Sequence, residues 1–225
     1  MNLFYQKRKV YSLSDKFVSD WAKESKPPAK GIIADTLHPV PLKDRITTTV
    51  YRLNMVQRKL EDSRLRMDQK YKTLFNKCVK AQEGKDSATA IIYANECGQV
   101  RKIVQTIVTS QLAMEQVVLR LETVKDFGDV AADLIPALGV VRSVKGRLAG
   151  VIPEVSMELG MIGQTLDSLV LEVGEATGTS PYAVASGEEA EKILMEAGTI
   201  AEQKVRKGFP ELPSTSTAEK GVNTP

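Results

Sequence analysis

The residue types that carry most enzymatic chemistry are scarce in this 225-residue sequence. It contains one histidine, His38, which lies beside Pro39 and Pro41, and two cysteines, Cys78 and Cys97. No phosphate-binding G-x-x-x-x-G-K-[ST] loop, no G-x-G-x-x-G motif and no metal-spaced Cys/His set occurs. We therefore expect no enzyme, no cofactor and no metal, and we expect both thiols to be reduced and packed.

Basic residues instead indicate a binding function. Residues 1–80 hold 18 Lys and Arg against 8 Asp and Glu, whereas residues 81–225 hold 13 against 20. A helix face of one sign favours an anionic partner, such as lipid, nucleic acid or an acidic helix. No recognition motif for nucleic acid accompanies the charge, so we expect no specific nucleic-acid partner. The predicted basic polymer or lipid face comprises Arg45, Arg52, Arg58, Lys59, Arg64, Arg66 and Lys70.

The elements that position these residues are predicted to be helices. On the first, from about 42 to 82, apolar residues recur at sevens: Ile46, Leu53, Leu60, Met67, Leu74 and Ala81. A second pattern runs from about Ser87 to Leu134, with Val100, Ile103, Ile107, Met114, Val117, Leu121 and Val124 as its seam. Such periods hold one helix face against another. The short break around Gly84 then predicts a long antiparallel helical hairpin, residues 42–134, in an all-α protein.

The segment before the hairpin, residues 1–41, combines a short amphipathic helix with a proline-containing linker. Candidate membrane contacts are Leu3, Phe4, Tyr5, Lys7, Arg8, Lys9 and Trp21. Apolar and basic side chains in this arrangement suit the boundary of an anionic bilayer. Packing of the same helix on the hairpin is the alternative. No run of about 18–20 apolar residues occurs, and apolar residues precede basic ones at the start, unlike a secretory signal; we expect a cytoplasmic protein.

After the hairpin we expect a kink or break at Pro136, then short helices over 137–173. Residues 174–225 form a linker, an acidic helix over 187–206 opened by a capping box, and a polar tail. Five of the acidic residues of this helix could pair with the basic hairpin: Glu188, Glu189, Glu191, Glu196 and Glu202. The tail contains Phe209-Pro210-Glu211-Leu212-Pro213, an extended segment suited to a groove on a partner.

Several stretches together resemble the ESCRT-III-like cell division proteins of archaea, the CdvB group. They are Leu74–Ala81, Ile92–Lys102, Arg142–Gly146 and Leu159–Ile162. The resemblance covers most of residues 42–173 and implies an ESCRT-III-like core, a long basic hairpin followed by shorter helices. The founding member of the group has a winged-helix-like segment where this chain has a polar tail. A shorter paralogue is therefore implied, which joins by co-polymerising with sister subunits.

The resemblance also implies a function. Members polymerise into filaments with themselves and with paralogous subunits on anionic membranes, at the inner face of the cell membrane and the division site. They constrict or cut membrane necks in cytokinesis or vesicle release. A Vps-type AAA ATPase disassembles them, and its MIT domain binds a proline-containing tail motif, which Phe209, Pro210, Glu211, Leu212 and Pro213 match.

Two other functions fit the same residue patterns. One is a coiled-coil adaptor that does not polymerise, which would form a defined small oligomer rather than filaments. The other is a membrane-maintenance protein of the related bacterial type, which shares the hairpin and lacks the tail motif.

Overall fold

The protein is all-α in the residues that its computed structural model describes, which are 41–127, 130–177 and 186–210. The five helices are α1 (Leu42–Glu83), α2 (Ser87–Phe127), α3 (Val130–Leu148), α4 (Pro153–Thr177) and α5 (Ser186–Gly208). No strand occurs in these ranges, which confirms the predicted class. The observed bounds of α1 and α5 agree closely with the predicted 42–82 and 187–206. None of the described helices is both long and apolar enough to cross a bilayer.

Contacts divide the chain into two compact units. Among the described residues, the tip unit comprises Arg58–Leu112 and 195–210, and the bundle unit comprises 41–57 and Ala113–Leu194. The tip unit therefore holds the reversal between the two long helices together with the second half of α5. The bundle unit holds α3, α4 and the remaining parts of the other three helices.

The reversal between α1 and α2 takes only three residues, which agrees with the predicted tight turn around Gly84. The amide of Lys85 donates to the carbonyl of Gln82 at 2.9 Å, and that of Asp86 donates to the carbonyl of Ala81 at 2.9 Å. Asp86 then caps α2, because its Oδ1 accepts from the amide of Thr89 at 3.1 Å. The Thr89 side chain and amide hold the pKa of Asp86 below its ordinary value.

Side-chain contacts show that α1 and α2 run antiparallel within the tip unit. Beginning at the reversal, Cys78 Sγ lies 3.4 Å from the carbonyl oxygen of Ala90. Farther along, Arg101 donates to the hydroxyl of Tyr71 at 2.9 Å. Farther still, Gln111 donates to Glu61 at 2.9 Å. Residue numbers fall on α1 as they rise on α2, which confirms the predicted hairpin in this unit.

The α1 seam departs from the predicted run of sevens in one place. Ile46, Leu53 and Leu60 are fully buried, as the pattern predicts. Met67 and Leu74 are only half-buried. Tyr71, which lies between them on the helix, is the fully buried residue of this part of the seam. Between Leu60 and Cys78, the inward-facing positions are Ser63, Met67, Tyr71 and Leu74. Two successive steps of four are a stutter, which locally unwinds a left-handed supercoil.

In the bundle unit, α3 and α4 pack against each other after a short turn. The Ser156 hydroxyl donates to the carbonyl of Lys145 at 2.9 Å, which fixes the start of α4 against the end of α3. Arg142 on α3 pairs with Asp167 on α4. Leu159, Ile162, Leu166 and Leu169 are the fully buried residues of α4. They recur by threes and fours, as an amphipathic helix requires.

Of the predicted kink or break at Pro136, the break is wrong. The second long helix ends at Phe127 rather than near Leu134, and the next helix begins at Val130 with Pro136 inside it. Pro136 removes one backbone donor, which ordinarily weakens a helix. Here it lies in a run of buried residues from Leu134 to Leu138. Burial of that apolar run outweighs the local penalty, so packing rather than propensity sets the helix bounds.

Both cysteines are buried and form no disulfide, which agrees with the prediction of packed thiols. Burial raises the pKa of the Cys97 thiol, and the neighbouring Cys78 adds to the effect. A raised pKa lowers the thiolate fraction, and with it the reactivity of the thiol at neutral pH.

Candidate functional site

Arg45 and Arg64 of the predicted basic face form ion pairs within the protein. In the bundle unit, the half-buried Arg45 pairs with Glu172 on α4. In the tip unit, Arg64 donates to Glu61 at 2.6 Å and to Asp68 at 2.7 Å, all on α1. These guanidinium groups therefore stabilise the protein itself, and a partner would have to displace their carboxylates.

The other predicted residues form the outer surface of α1. Arg52, Arg58, Arg66 and Lys70 are exposed, and Lys59 is half-buried. Arg66 donates to the hydroxyl of Ser63 at 2.8 Å. Within the described part of the chain, Arg52, Arg58 and Lys70 form no ion pair, so their charge faces solvent. We name Arg58, Arg66 and Lys70, which lie in the tip unit, the basic face.

Glu61 is the acidic centre of a small polar network in the tip unit. Its carboxylate accepts from Arg64 of its own helix and from Gln111 of α2. These hydrogen bonds, with that of Arg64 the larger effect, lower the pKa of Glu61 to about 2. Arg64 has its own pKa raised by the same contact. The network joins the two long helices at a level where the seam itself contains the small polar Ser63.

We expect this network to make stability depend on acid pH. Because the folded-state pKa of Glu61 lies below the ordinary 4.5, its contribution is present above about pH 4.5 and is lost as pH falls towards about 2. The side chain is 45% exposed, so solvent screening limits the effect to about 1 kcal/mol or less. Urea unfolding near pH 5 and near pH 3 should show a larger loss for the natural chain than for Glu61→Gln. Equal losses in the two proteins would contradict the assignment.

The tail enters the tip unit through Phe209 and Pro210. The Phe209 ring lies edge-on to that of Tyr71, with ring centroids 4.4 Å apart. The carbonyl oxygen of Pro210 accepts from the Tyr71 hydroxyl at 3.0 Å and from Arg101 Nη2 at 2.8 Å. The Arg101 guanidinium also lies 5.6 Å from the Tyr71 ring centroid. We call this arrangement of Tyr71, Arg101, Phe209 and Pro210 the tail clamp.

An apolar cluster extends the tail clamp along α5. Ala201 and Val205 are buried against Cys97, Val100 and Val104. The acidic residues Glu196 and Glu202 are exposed and form no ion pair among the described residues. In the tip unit, α5 is therefore held mainly by apolar packing. In the bundle unit, by contrast, Glu189 of α5 pairs with Arg120 of α2 at 2.6 Å, as part of the predicted acidic pairing.

Several predicted site residues lie outside the described residues. They are the membrane-contact set Leu3, Phe4, Tyr5, Lys7, Arg8, Lys9 and Trp21, and Glu211, Leu212 and Pro213 of the tail motif. The sequence interpretation did not identify Tyr71, Arg101 or Arg120. Arg120 also donates to Asp133 at 3.1 Å and so joins three helices of the bundle unit. The sequence did contain one signal for Arg120: it is the only charged residue between Glu115 and Glu122, in a mainly apolar stretch. No three His, Cys, Asp or Glu side chains come together in the described ranges.

Comparison with known proteins identifies the family. The chain is 42% identical over 180 residues to "Cell division protein B1" of Sulfolobus acidocaldarius, covering 80% of this chain and 84% of that protein. It is 33% identical over 180 residues to "Cell division protein B" of the same organism, covering 80% and 69%. The chain belongs to the CdvB group. The family assignment made from the hairpin residues is thereby confirmed.

Membership of the CdvB group gives the chain a role in archaeal cell division. No family model and no solved structure matches the chain.

Proposed function

We propose that this CdvB-group chain is a filament subunit that polymerises on the cytoplasmic face of the membrane and constricts or cuts membrane necks during division. Its role is structural rather than catalytic. The observation that carries the proposal is the basic face, where Arg58, Arg66 and Lys70 are exposed along one long helix and form no ion pair with any described residue. Aligned exposed cations of this kind attract anionic lipid headgroups or the acidic surface of a neighbouring subunit.

Reversing the charge of the basic face tests this proposal. We expect the triple variant Arg58→Glu, Arg66→Glu and Lys70→Glu to lose most of its flotation with anionic liposomes and to form no filaments by electron microscopy. All three side chains are exposed, and loss of the hydrogen bond from Arg66 to Ser63 costs only about 0.5–1.5 kcal/mol, so the thermal unfolding midpoint should fall only slightly.

The matched control changes the net charge by the same amount at three other exposed positions, Arg147, Lys192 and Lys204. It should float and polymerise like the natural chain. If both variants lost flotation and filaments equally, the effect would come from net charge, and the basic face would be rejected as the binding surface. A natural chain that forms only a defined small oligomer, with or without liposomes, would instead support the coiled-coil adaptor.

We also propose that the tail segment Phe209–Pro213 binds the MIT domain of the disassembling AAA ATPase. The support is its pattern of two prolines, each preceded by an apolar residue, at the end of α5. Because the tail clamp holds Phe209 and Pro210, binding of the whole segment requires release of these two residues.

Substituting the apolar residue between the prolines separates this tail function from membrane binding. We expect Leu212→Asp to weaken binding of the MIT domain by about a hundredfold, since a charge would enter an apolar groove. Calorimetric titration measures the affinity, and liposome flotation of the same variant should be unchanged. Retained affinity would remove the assignment of the tail segment.

A further inference from the structure

The hairpin extends beyond the tail clamp to its tip. At this tip the buried residues are small and the large aliphatic residues are exposed. Between Tyr71 and Cys97 the only buried residues are Cys78 and Ala90, both small. The two large aliphatic side chains nearest the reversal on α2, Ile91 and Ile92, are 47% and 61% exposed. The strongest apolar surface in this segment therefore faces solvent, and it adds little to the packing of the two helices.

The two isoleucines belong to one continuous exposed face. Ala88, Ile91, Ile92 and Asn95 recur by threes and fours on α2, and all four are exposed. Isoleucine is a poorer helix former than alanine or lysine, so helix propensity does not explain a pair at exposed positions. Adjacent exposed isoleucines in a helix are better explained by a partner that buries them.

Lysines lie at the same end of the hairpin as this apolar face. Lys77, Lys80 and Lys85 are exposed, and the ammonium of Lys77 lies 5.7 Å from the centroid of the Tyr93 ring. Lys85 has a φ of 60°, a left-handed conformation in which glycine or asparagine is the less costly residue. The acids at this end are Glu83, the helix cap Asp86 and Glu96, which is exposed one turn after Ile92. Over its described residues, the tip unit has 14 Lys and Arg against 8 Asp and Glu.

We propose that the hairpin tip is a second membrane-contact site, in which Ile91 and Ile92 enter the headgroup boundary of an anionic bilayer. Lys77, Lys80 and Lys85 then meet the lipid phosphates, because an exposed apolar pair at a hairpin end that carries three exposed lysines matches that interface in both polarity and charge. The site deepens the proposed function and rests on its claim that the chain binds anionic membrane. It is distinct from the basic face, whose three cationic residues lie farther from the reversal on α1.

A tryptophan placed at the tip reports insertion directly. In the full chain, Trp21→Phe removes the only native tryptophan, and Ile92→Trp adds one at the tip. With phosphatidylserine–phosphatidylcholine vesicles, its emission should shift to shorter wavelength and be quenched by brominated acyl chains. With phosphatidylcholine alone the shift should be small. The matched control carries Met157→Trp in the same background, at a methionine that is 70% exposed in the bundle unit, and should show neither effect.

A charge at the same position measures how much the tip contributes to binding. Ile92→Asp should lower partitioning onto the anionic vesicles by about tenfold, since the side chain is no longer transferred from water. Met157→Asp should leave partitioning unchanged. Both positions are exposed, so circular dichroism should show both variants folded.

The outcomes separate the tip from the proposed function. If the Trp21→Phe parent floats but residue 92 shows no shift and Ile92→Asp floats equally, the tip site is rejected and the proposed function stands. If the parent and the natural chain bind no anionic vesicles, both are rejected. A shift at residue 92 without vesicles, accompanied by concentration-dependent oligomers, would assign the isoleucine pair to a second copy and overturn the bilayer assignment.

Discussion

Replacing Tyr71 with alanine should lower the free energy of unfolding by about 3–5 kcal/mol. The ring is 1% exposed, packs edge-on against Phe209 and lies 6.1 Å from the Phe75 ring centroid. Its removal leaves a cavity at the stutter, in a closely packed cluster. The variant also loses the hydroxyl that donates to Pro210. Urea unfolding measures the stability, and limited proteolysis should show earlier cleavage beside Phe209.

Tyr71→Phe separates packing from hydrogen bonding in the tail clamp. It keeps the ring and removes the hydroxyl, while Arg101 still donates to the carbonyl of Pro210 at 2.8 Å. The expected cost is therefore only about 0.5–1.5 kcal/mol. If the alanine variant lost no more stability than the phenylalanine variant, Tyr71 would not be the packing centre of the tip unit.

Ending the chain after Gly187 should convert most of the protein into sedimenting filaments. This truncation removes nearly all of α5 and uncovers the apolar surface formed by Tyr71, Val100 and Val104. Under the proposed function, that surface becomes available to a neighbouring subunit. Because the contact in the tip unit is mainly apolar, assembly should persist at moderate salt, whereas an electrostatic switch would require low salt.

A second truncation, after Gly208, is the matched control. It keeps α5 with Ala201 and Val205 in place and removes Phe209 and Pro210. It should sediment far less than the shorter chain. Electron microscopy distinguishes regular filaments from amorphous aggregates of exposed apolar surface. Amorphous material, or unchanged sedimentation of the shorter chain, would contradict a covering role for α5.

Periodicity predicted most of the helices because each must bury a continuous face. The runs of three and four on α1, α2 and α4 specify long amphipathic helices, and Gly84 marks the only tight reversal in the hairpin. The capping pattern at Ser186 likewise located the start of α5. These are local signals, in which residues that act together are also close in sequence.

The departures arise where distant residues decide the outcome. Pro136 stays helical because the surrounding apolar run is buried, which its own propensity cannot indicate. The seven-residue period did not reveal the stutter. Met67 and Leu74 are seven residues apart on either side of Tyr71, so the apolar spacing looks regular there. The tail clamp joins Tyr71 to Pro210, residues 139 positions apart, and no local pattern specifies such a pair.

The two buried thiols give this protein native probes of opening. Cys97 belongs to the cluster covered by Ala201 and Val205, whereas Cys78 lies nearer the reversal and contacts the carbonyl of Ala90. A thiol reagent modifies a buried cysteine only during transient exposure, so each labelling rate measures the free energy of a separate local opening. Faster labelling of Cys97 alone would report departure of α5, and faster labelling of both would report separation of the two long helices.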